Sequence, residues 1–308
     1  MPKDSQNEET TQCFPLIEEI GSLEEVAEKS DEILLNTHIN GAMLIRGLPL
    51  QTAEDFDELV RAFRLTNFPY EKSLSNAVRI NRTERVFTAN EAPPETTIPL
   101  HHEMAQTPFY PTWLFFFCEN APETGGTTPL CHSGQLWKAL QKEYPDFARN
   151  CETYGLRYTN TMPHENDAAS GLGRSWRSTL SVEKKGEAEN RLQDLGYTYE
   201  WLQDECLRVT TPILPAVLET NGQKTFFNQL IAAFHGWKDT RNDPSKAITF
   251  GNGEPIDPAD IHATTALAEA LTFDLQWRTG EVALVDNRIA MHGRRPFQGT
   301  RKVLASMS

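Results

Sequence analysis

The sequence predicts a mainly β domain with helices packed outside its strands. Three observations carry that prediction. From about residue 86 onward, short apolar runs recur between turns marked by Pro and Gly. Helical periodicity is confined to a few separate stretches. No internal repeat or low-complexity block interrupts the 308 residues, and strand segments from both ends of the chain are needed to complete one sheet system. The expectation is therefore one domain over 13–308, preceded by a mobile tail at 1–12 and carrying a helical and loop insertion at about 133–225.

Taken in order, residues 22–36 (SLEEVAEKSDEILLN) have helical spacing, with Ser22 as N-cap and Glu25 completing a capping box. GAMLIRG (41–47) reads as a buried strand and AEDFDELVRAF (53–63) as an amphipathic helix. VFTAN, a Pro-rich turn at Pro93 and Pro94, IPLHHEM and WLFFFCE (113–119) follow as strands separated by turns. Gly125 and Gly126 make a turn into another strand, and 133–151 is helical. The polar stretch to about 210 holds a helix at 186–195, strand signals return at 212–219 and 224–230, and 263–273 is helical. The chain closes with WRTGEVALVDNRIAMHGRRPF (277–297), a strand, a tight segment and a strand edge, and then RKVLASM (301–307).

Composition excludes several classes. With 29 basic against 43 acidic residues the formal charge is −14, which disfavours nucleic acid and anionic membrane surfaces as partners. No run of 18 apolar residues occurs, and the polar, acidic N-terminus has neither the basic flank and apolar core of a signal peptide nor the arginines of a transit peptide. A cytoplasmic protein is the expectation. The five cysteines are odd in number and widely spaced without C-x-x-C, so they read as reduced structural thiols.

The sharpest local signal is Pro99-Leu100-His101-His102-Glu103. On a strand His101 and Glu103 share a face and His102 turns away. One imidazole and one carboxylate make two-thirds of the 2-His-1-carboxylate set that suits non-haem Fe(II). A distant histidine, His292, follows an apolar strand and supplies the third donor, while Arg301 stands nine positions later. Its guanidinium can grip a carboxylate in a two-pronged manner. Thr128, just after the Gly-Gly turn, is placed to add a hydroxyl donor. His132 and Arg295 read as structural residues, as does Arg294. Asp286-Asn287 reads as the anchor of the turn before His292.

HHEM, GGTTP and the DN…HGRRPF…R ending, in this order and spacing, resemble the taurine dioxygenase (TauD/TfdA) family and, within it, the clavaminate-synthase-like proteins. VFTANEAPP, FFFCE, GWKD and RNDP support the resemblance, which spans about 40–307. It implies a double-stranded β-helix (jelly roll) core and oxidative decarboxylation of 2-oxoglutarate with O2. Carried over, His101, Glu103 and His292 are the catalytic Fe(II) ligands, and Thr128 and Arg301 hold the 2-oxoglutarate C5 carboxylate. Where many family members carry a second arginine four residues later, this chain has Ala305.

The implied reaction is hydroxylation of an unactivated C–H bond in a small, amino-acid-like molecule, with release of succinate and CO2. Substrate contacts are expected from Asn90, Glu91 and Asn228 of the core, and from Arg174 and Trp176 of the insertion. Desaturation or cyclisation of a small molecule is an alternative. So is a JmjC-like demethylase or hydroxylase acting on a protein or peptide, which the acidic charge would suit. The oligomeric state is left open.

Overall fold

Thr52 shows how local chemistry sets the shoulder of the molecule. Its hydroxyl accepts from the Asp55 backbone N–H at 3.1 Å, and the Asp55 carboxylate accepts from the Thr52 N–H at 2.9 Å. This complete capping box starts the helix Ala53–Ala62. At the first helix, Leu23–Asn40, Ser22 caps Glu25, but the Glu25 carboxylate reaches back to Gly21 N–H and not to Ser22. That helix runs four residues past the expected end and stops at Gly41. The computed structural model describes residues 14–167, 169–170 and 172–308; the tail expected at 1–12 lies outside them.

The two helices cover one face of a six-stranded sheet. Its order is Leu16–Glu19, Ala42–Arg46, Val282–Asp286, Trp113–Asn120, Lys302–Met307, Phe87–Thr88. Alternation sorts each strand. Met43, Ile45, Phe115, Phe117, Val282 and Leu284 pack against Phe56, Leu59 and Val60 of the helices. Leu44, Phe116, Cys118, Ala283 and Val285 point the other way, towards Leu130, Leu275 and Ala290 of a second sheet. Both faces are covered, which is why WLFFFC reads as an unbroken apolar run. Phe117 is fully buried, and truncating it to alanine would cost about 3–5 kcal/mol. Ala305 points into the same inter-sheet core as Phe116, so no polar group stands at that position.

The second sheet, with four strands, carries the site. Its order is Thr272–Leu275, Thr128–His132, Ala290–Arg294, Ile98–His101. Cys131, Leu100 and Met291 on its outer face meet a core that includes residues of Ser133–Glu143, Leu230–Gly236 and Pro258–Ala270. The architecture is thus mainly β with flanking helices, and the described strands form separate sheets without a closed barrel.

Three expectations about elements need correcting. The stretch 133–151 is two helices, Ser133–Glu143 and Pro145–Tyr154, because Pro145 begins a new helix and cannot continue the old one. The 133–225 segment is also more than helix and loop. Its strands Leu156–Met162, Leu207–Thr210 and Thr198–Trp201 form an outer sheet joined by Ile248–Phe250. Polar residues on half of those strand positions hid the pattern. The strand expected at 224–230 is a short hairpin, Leu218–Thr220 with Gln223–Thr225, followed by the helix Leu230–Gly236.

Candidate active site

The site begins where the apolar filling between the sheets gives way to polar side chains. His101 ends its strand directly opposite His292, which holds the two rings 4.4 Å apart. A register shift follows His292, and Gly293 is required there: a Cβ would lie 2.5 Å from the Ile98 carbonyl oxygen. His101 Nδ1–H donates to the Pro99 carbonyl at 2.8 Å. A carbonyl can only accept, so this bond leaves the Nε2 lone pair free to bind a metal.

Glu103 reaches the same point by a different route from the one its spacing suggests. The strand ends at His101, and Glu103 sits in the following turn, before Met104 at φ +60°. Asn287 holds that turn: its Oδ1 accepts from Glu103 N–H at 2.7 Å, and its Nδ2 donates to the carbonyls of Glu103 (3.0 Å) and Pro111 (2.8 Å). The neighbouring His102 is fully buried against Phe227, with Nδ1–H bonded to the Asn287 carbonyl. Asn287 therefore anchors the turn carrying Glu103, across the fold from the turn it was expected to hold. Glu103 Oε2 lies 3.9 Å from His101 Nε2 and 3.7 Å from His292 Nε2. The three donor atoms fall within 4.8 Å of one another, and among the described residues this is the group that could hold a metal.

Arg79, which no sequence pattern marks, is the main unforeseen member. Its NH2 donates to both Glu103 oxygens, at 3.0 and 3.1 Å, with both side chains more than nine-tenths buried. The guanidinium lies 4.9 and 5.3 Å from the ring centroids of Tyr70 and Phe87, which themselves pack together at 5.1 Å. Burial alone would raise the Glu103 carboxyl, but Arg79, with His101 and His292, outweighs it and holds the group well below its ordinary range. Burial, with the neighbouring His101, keeps His292 neutral.

Arg301 lies at the other side of the same cavity, which has a volume of about 180 Å³. Its Nε donates to the Gly126 carbonyl at 2.9 Å and its NH2 to Thr128 Oγ1 at 3.4 Å. Gly126 must be glycine: its φ is +65°, and a Cβ would meet Pro122, Phe297 and Arg301 at 3.0 Å or less. No carboxylate pairs with Arg301 among the described residues, and burial, then Arg294, lowers its pKa to about 10. Thr128 Oγ1 also accepts from Trp277 Nε1–H at 2.9 Å. An indole only donates, so the threonine proton is left to point elsewhere. Sequence reasoning gave Trp277 no role.

The remaining expected contacts divide. Asn90 lines the cavity, and its Oδ1 accepts from Ala92 N–H. Glu91 is exposed and does not line it. The structure places the other three in the scaffold. Arg174 is 4 % exposed and donates to the carbonyls of Glu71, Ser73 and Ser178, anchoring the segment that leads to Arg79. Trp176 is buried against Trp201 with Nε1–H on the Glu205 carbonyl. Asn228 is fully buried, bonded to the Ala216 carbonyl and Leu230 N–H. Their polar character served backbone satisfaction, which sequence does not distinguish from ligand contact. His132 caps the helix at Ser133, and Arg295 pairs with Glu269 and Asp274. Arg294 lines the cavity but spends its donors on the carbonyls of Ala92, Pro93 and Thr96, pinning that loop.

Two imidazoles and a carboxylate, with a partly buried guanidinium lining the same cavity, are a donor set that suits a non-haem iron site with an oxo-acid cosubstrate. Comparison with known proteins gives the class its family. Residues 14–307 match the family described as taurine catabolism dioxygenase TauD, TfdA family. A clavaminate synthase-like protein of Arabidopsis thaliana is 41% identical over 273 residues, covering 88% of this chain and 82% of that protein. The dapdiamide synthesis protein DdaC of Enterobacter agglomerans is 28% identical over 297 residues, covering 90% and 84%. Among solved structures, the non-haem iron oxygenase OrfP, with Fe, succinate and (3S)-hydroxy-L-Arg, has a TM-score of 0.54 at 14% identity, covering 92% of this chain and 80% of that one. Asparagine oxygenase, with Fe(II), 3-hydroxyasparagine and succinate, has a TM-score of 0.53 at 12% identity, covering 92% and 77%. The chain belongs to the TauD/TfdA family and is an oxidoreductase dependent on Fe(II), 2-oxoglutarate and O2. No described helix is long and apolar enough to cross a membrane.

Proposed function

We propose that His101, Glu103 and His292 hold the Fe(II), that Arg301 and Thr128 hold the C5 carboxylate of 2-oxoglutarate, and that the enzyme hydroxylates a small, amino-acid-like molecule. The reading includes a single domain whose two facing sheets are the halves of a double-stranded β-helix. The observation that carries it is the convergence, in one cavity, of three candidate metal donors and a partly buried guanidinium that has no carboxylate partner among the described residues. The four cysteines among the described residues are free, the state a reducing compartment maintains, which supports a cytoplasmic location.

Bound iron supplies the power to oxidise an unactivated C–H bond with O2, as 2-oxoglutarate becomes succinate and CO2. The chain binds, orients and excludes water. Arg301 offers the carboxylate an unspent charge, and Thr128, its oxygen engaged by Trp277, offers a proton. Asn287 and Arg79 fix where Glu103 points, and the Pro99 carbonyl fixes the His101 tautomer. The loop held by Arg294 helps wall the cavity.

A small substrate fits the cavity volume. Two proteins of this fold solved with hydroxylated amino acids make amino acids the first panel to screen. The test is anaerobic titration of Fe(II) and then 2-oxoglutarate, followed through the charge-transfer absorbance of the complex. Succinate formation across the panel and the mass of the product come next. Absence of the absorbance band in the wild-type protein overturns the site assignment. Succinate that never exceeds the uncoupled background overturns the substrate class.

A further inference from the structure

A second, smaller cavity lies behind the wall of the first. Asn76, Gln106 and Trp237 line both. The small cavity has a volume of about 20 Å³, room for one small chemical group and not for a whole molecule. Gln106 reaches it from the turn that carries Glu103, whereas Asn160 and Thr179 reach it from the insertion.

Its polar content separates it from a packing defect. Gln106 Oε1, Asn160 Nδ2 and Thr179 Oγ1 are buried without a hydrogen-bond partner among the described residues. The three residues are 6, 7 and 4 % exposed. Buried polar atoms are nearly always paired, so three orphans among the residues lining one small cavity ask for a ligand that both donates and accepts. No Asp, Glu, Lys, Arg or His lines this cavity, so an ion placed there would be desolvated without a countercharge. An alkyl group would leave all three atoms unsatisfied.

We propose that this cavity is a subsite for a primary carboxamide at the far end of the substrate, whose reactive carbon lies in the main cavity. The proposal rests on the reading of the main cavity as the oxygenase site. A carboxamide oxygen accepts from Asn160 and Thr179, and its N–H group donates to Gln106. A trapped water could satisfy the same atoms, and the test separates the two.

Wild-type protein loaded with Fe(II) and 2-oxoglutarate under argon is titrated with L-asparagine and L-glutamine, with L-aspartate and L-glutamate, and with L-norvaline, reading the melting temperature. Amide-terminated probes should bind at least about 100-fold more tightly than the others, as expected where a site built to hydrogen-bond meets an analogue that cannot. Thr179→Val should cut that preference about tenfold, and Asn160→Leu, which fills the cavity, should abolish it. If Asn160→Leu fails to fold, Thr179→Val decides. Equal binding by the three classes, binding by none, or a preference unchanged in the folded variants, as a cavity holding only water predicts, overturns the proposal. The charge-transfer band of the same wild-type sample tells the failures apart: with the band present only the subsite falls, and without it the oxygenase reading falls too.

Discussion

Glu103 is buried and Arg301 partly buried, both line one cavity, and the fold treats the two charges in opposite ways. Glu103 is held through both oxygens by Arg79, which lies against the rings of Tyr70 and Phe87. Among the described residues Arg301 has only uncharged partners, the Gly126 carbonyl and the Thr128 hydroxyl. Burial pushes each towards its neutral form; Arg79 and the two imidazoles reverse that for Glu103, whereas Arg294 adds to it for Arg301. On the proposed assignment, the metal end of the cavity is prepared in advance by the protein and the cosubstrate end is left for the ligand to complete.

The largest test removes the prepared end altogether. His101→Ala or His292→Ala should abolish Fe(II) binding and turnover while circular dichroism reports an intact fold. Loss of metal affinity in His102→Ala with retention in His101→Ala would reverse the assignment of that pair.

Next come the two arginines, read against each other. Arg301→Ala should cost about 3–5 kcal/mol of 2-oxoglutarate binding, because the incoming carboxylate would be buried without its cation. That is roughly 150- to 5,000-fold in affinity. Arg301→Lys should recover only part of it, and Fe(II) affinity should change little in either variant. Arg79→Met should act on the metal-free protein, lowering its unfolding free energy by about 3–5 kcal/mol because Glu103 keeps its buried charge unpaired. Added Fe(II) should restore much of that loss. Arg301→Met should cost the metal-free protein little, since no carboxylate depends on it. Chemical denaturation with and without metal checks both, and equal losses in the two variants would erase the contrast.

Buried neutral histidines give a smaller effect that depends on pH. Burial lowers His102 to about 3 and His132 to about 4, from 6.5. Between those values the unfolded chain takes up protons that the folded chain refuses, so their stabilising effect is full above pH 6.5 and lost as pH falls towards 4. The slope is about 1.4 kcal/mol per pH unit for each histidine. A melting temperature that stays flat from pH 7 to pH 5 would contradict it.

The smallest effects belong to the hydroxyl. Thr128→Ala should weaken 2-oxoglutarate binding by about 1 kcal/mol, and Trp277→Phe by less, because it only frees the hydroxyl to rotate. Titrating both variants under argon gives the order.

How much of this was readable beforehand follows from the range of each cause. The capping residue Ser22, the strand at 113–119 and the mainly β class depend on neighbours a few positions apart, and a sequence displays those directly; the Thr52 cap has the same local cause but was not singled out. The donor motif around His101 and the final histidine and arginine were visible as chemistry at a spacing. Strand alternation, however, was not what brought Glu103 to His101, since the strand ends before it. The outer sheet of the insertion was hidden because half its strand positions are polar, and Arg174, Trp176 and Asn228 looked like ligand contacts although they satisfy backbone carbonyls and fill the core.

By itself, then, the sequence determined the mainly β class, the elements set by near neighbours and the chemical types available for a site. Tertiary structure alone decided that Asn287 holds Glu103 in place 184 residues away, that Arg79 neutralises it, and that Arg301 meets no carboxylate among the described residues. The physical reason is that burial and pairing are properties of three-dimensional neighbours: a charge shows in the sequence, and its compensation shows only where the chain has folded back on itself.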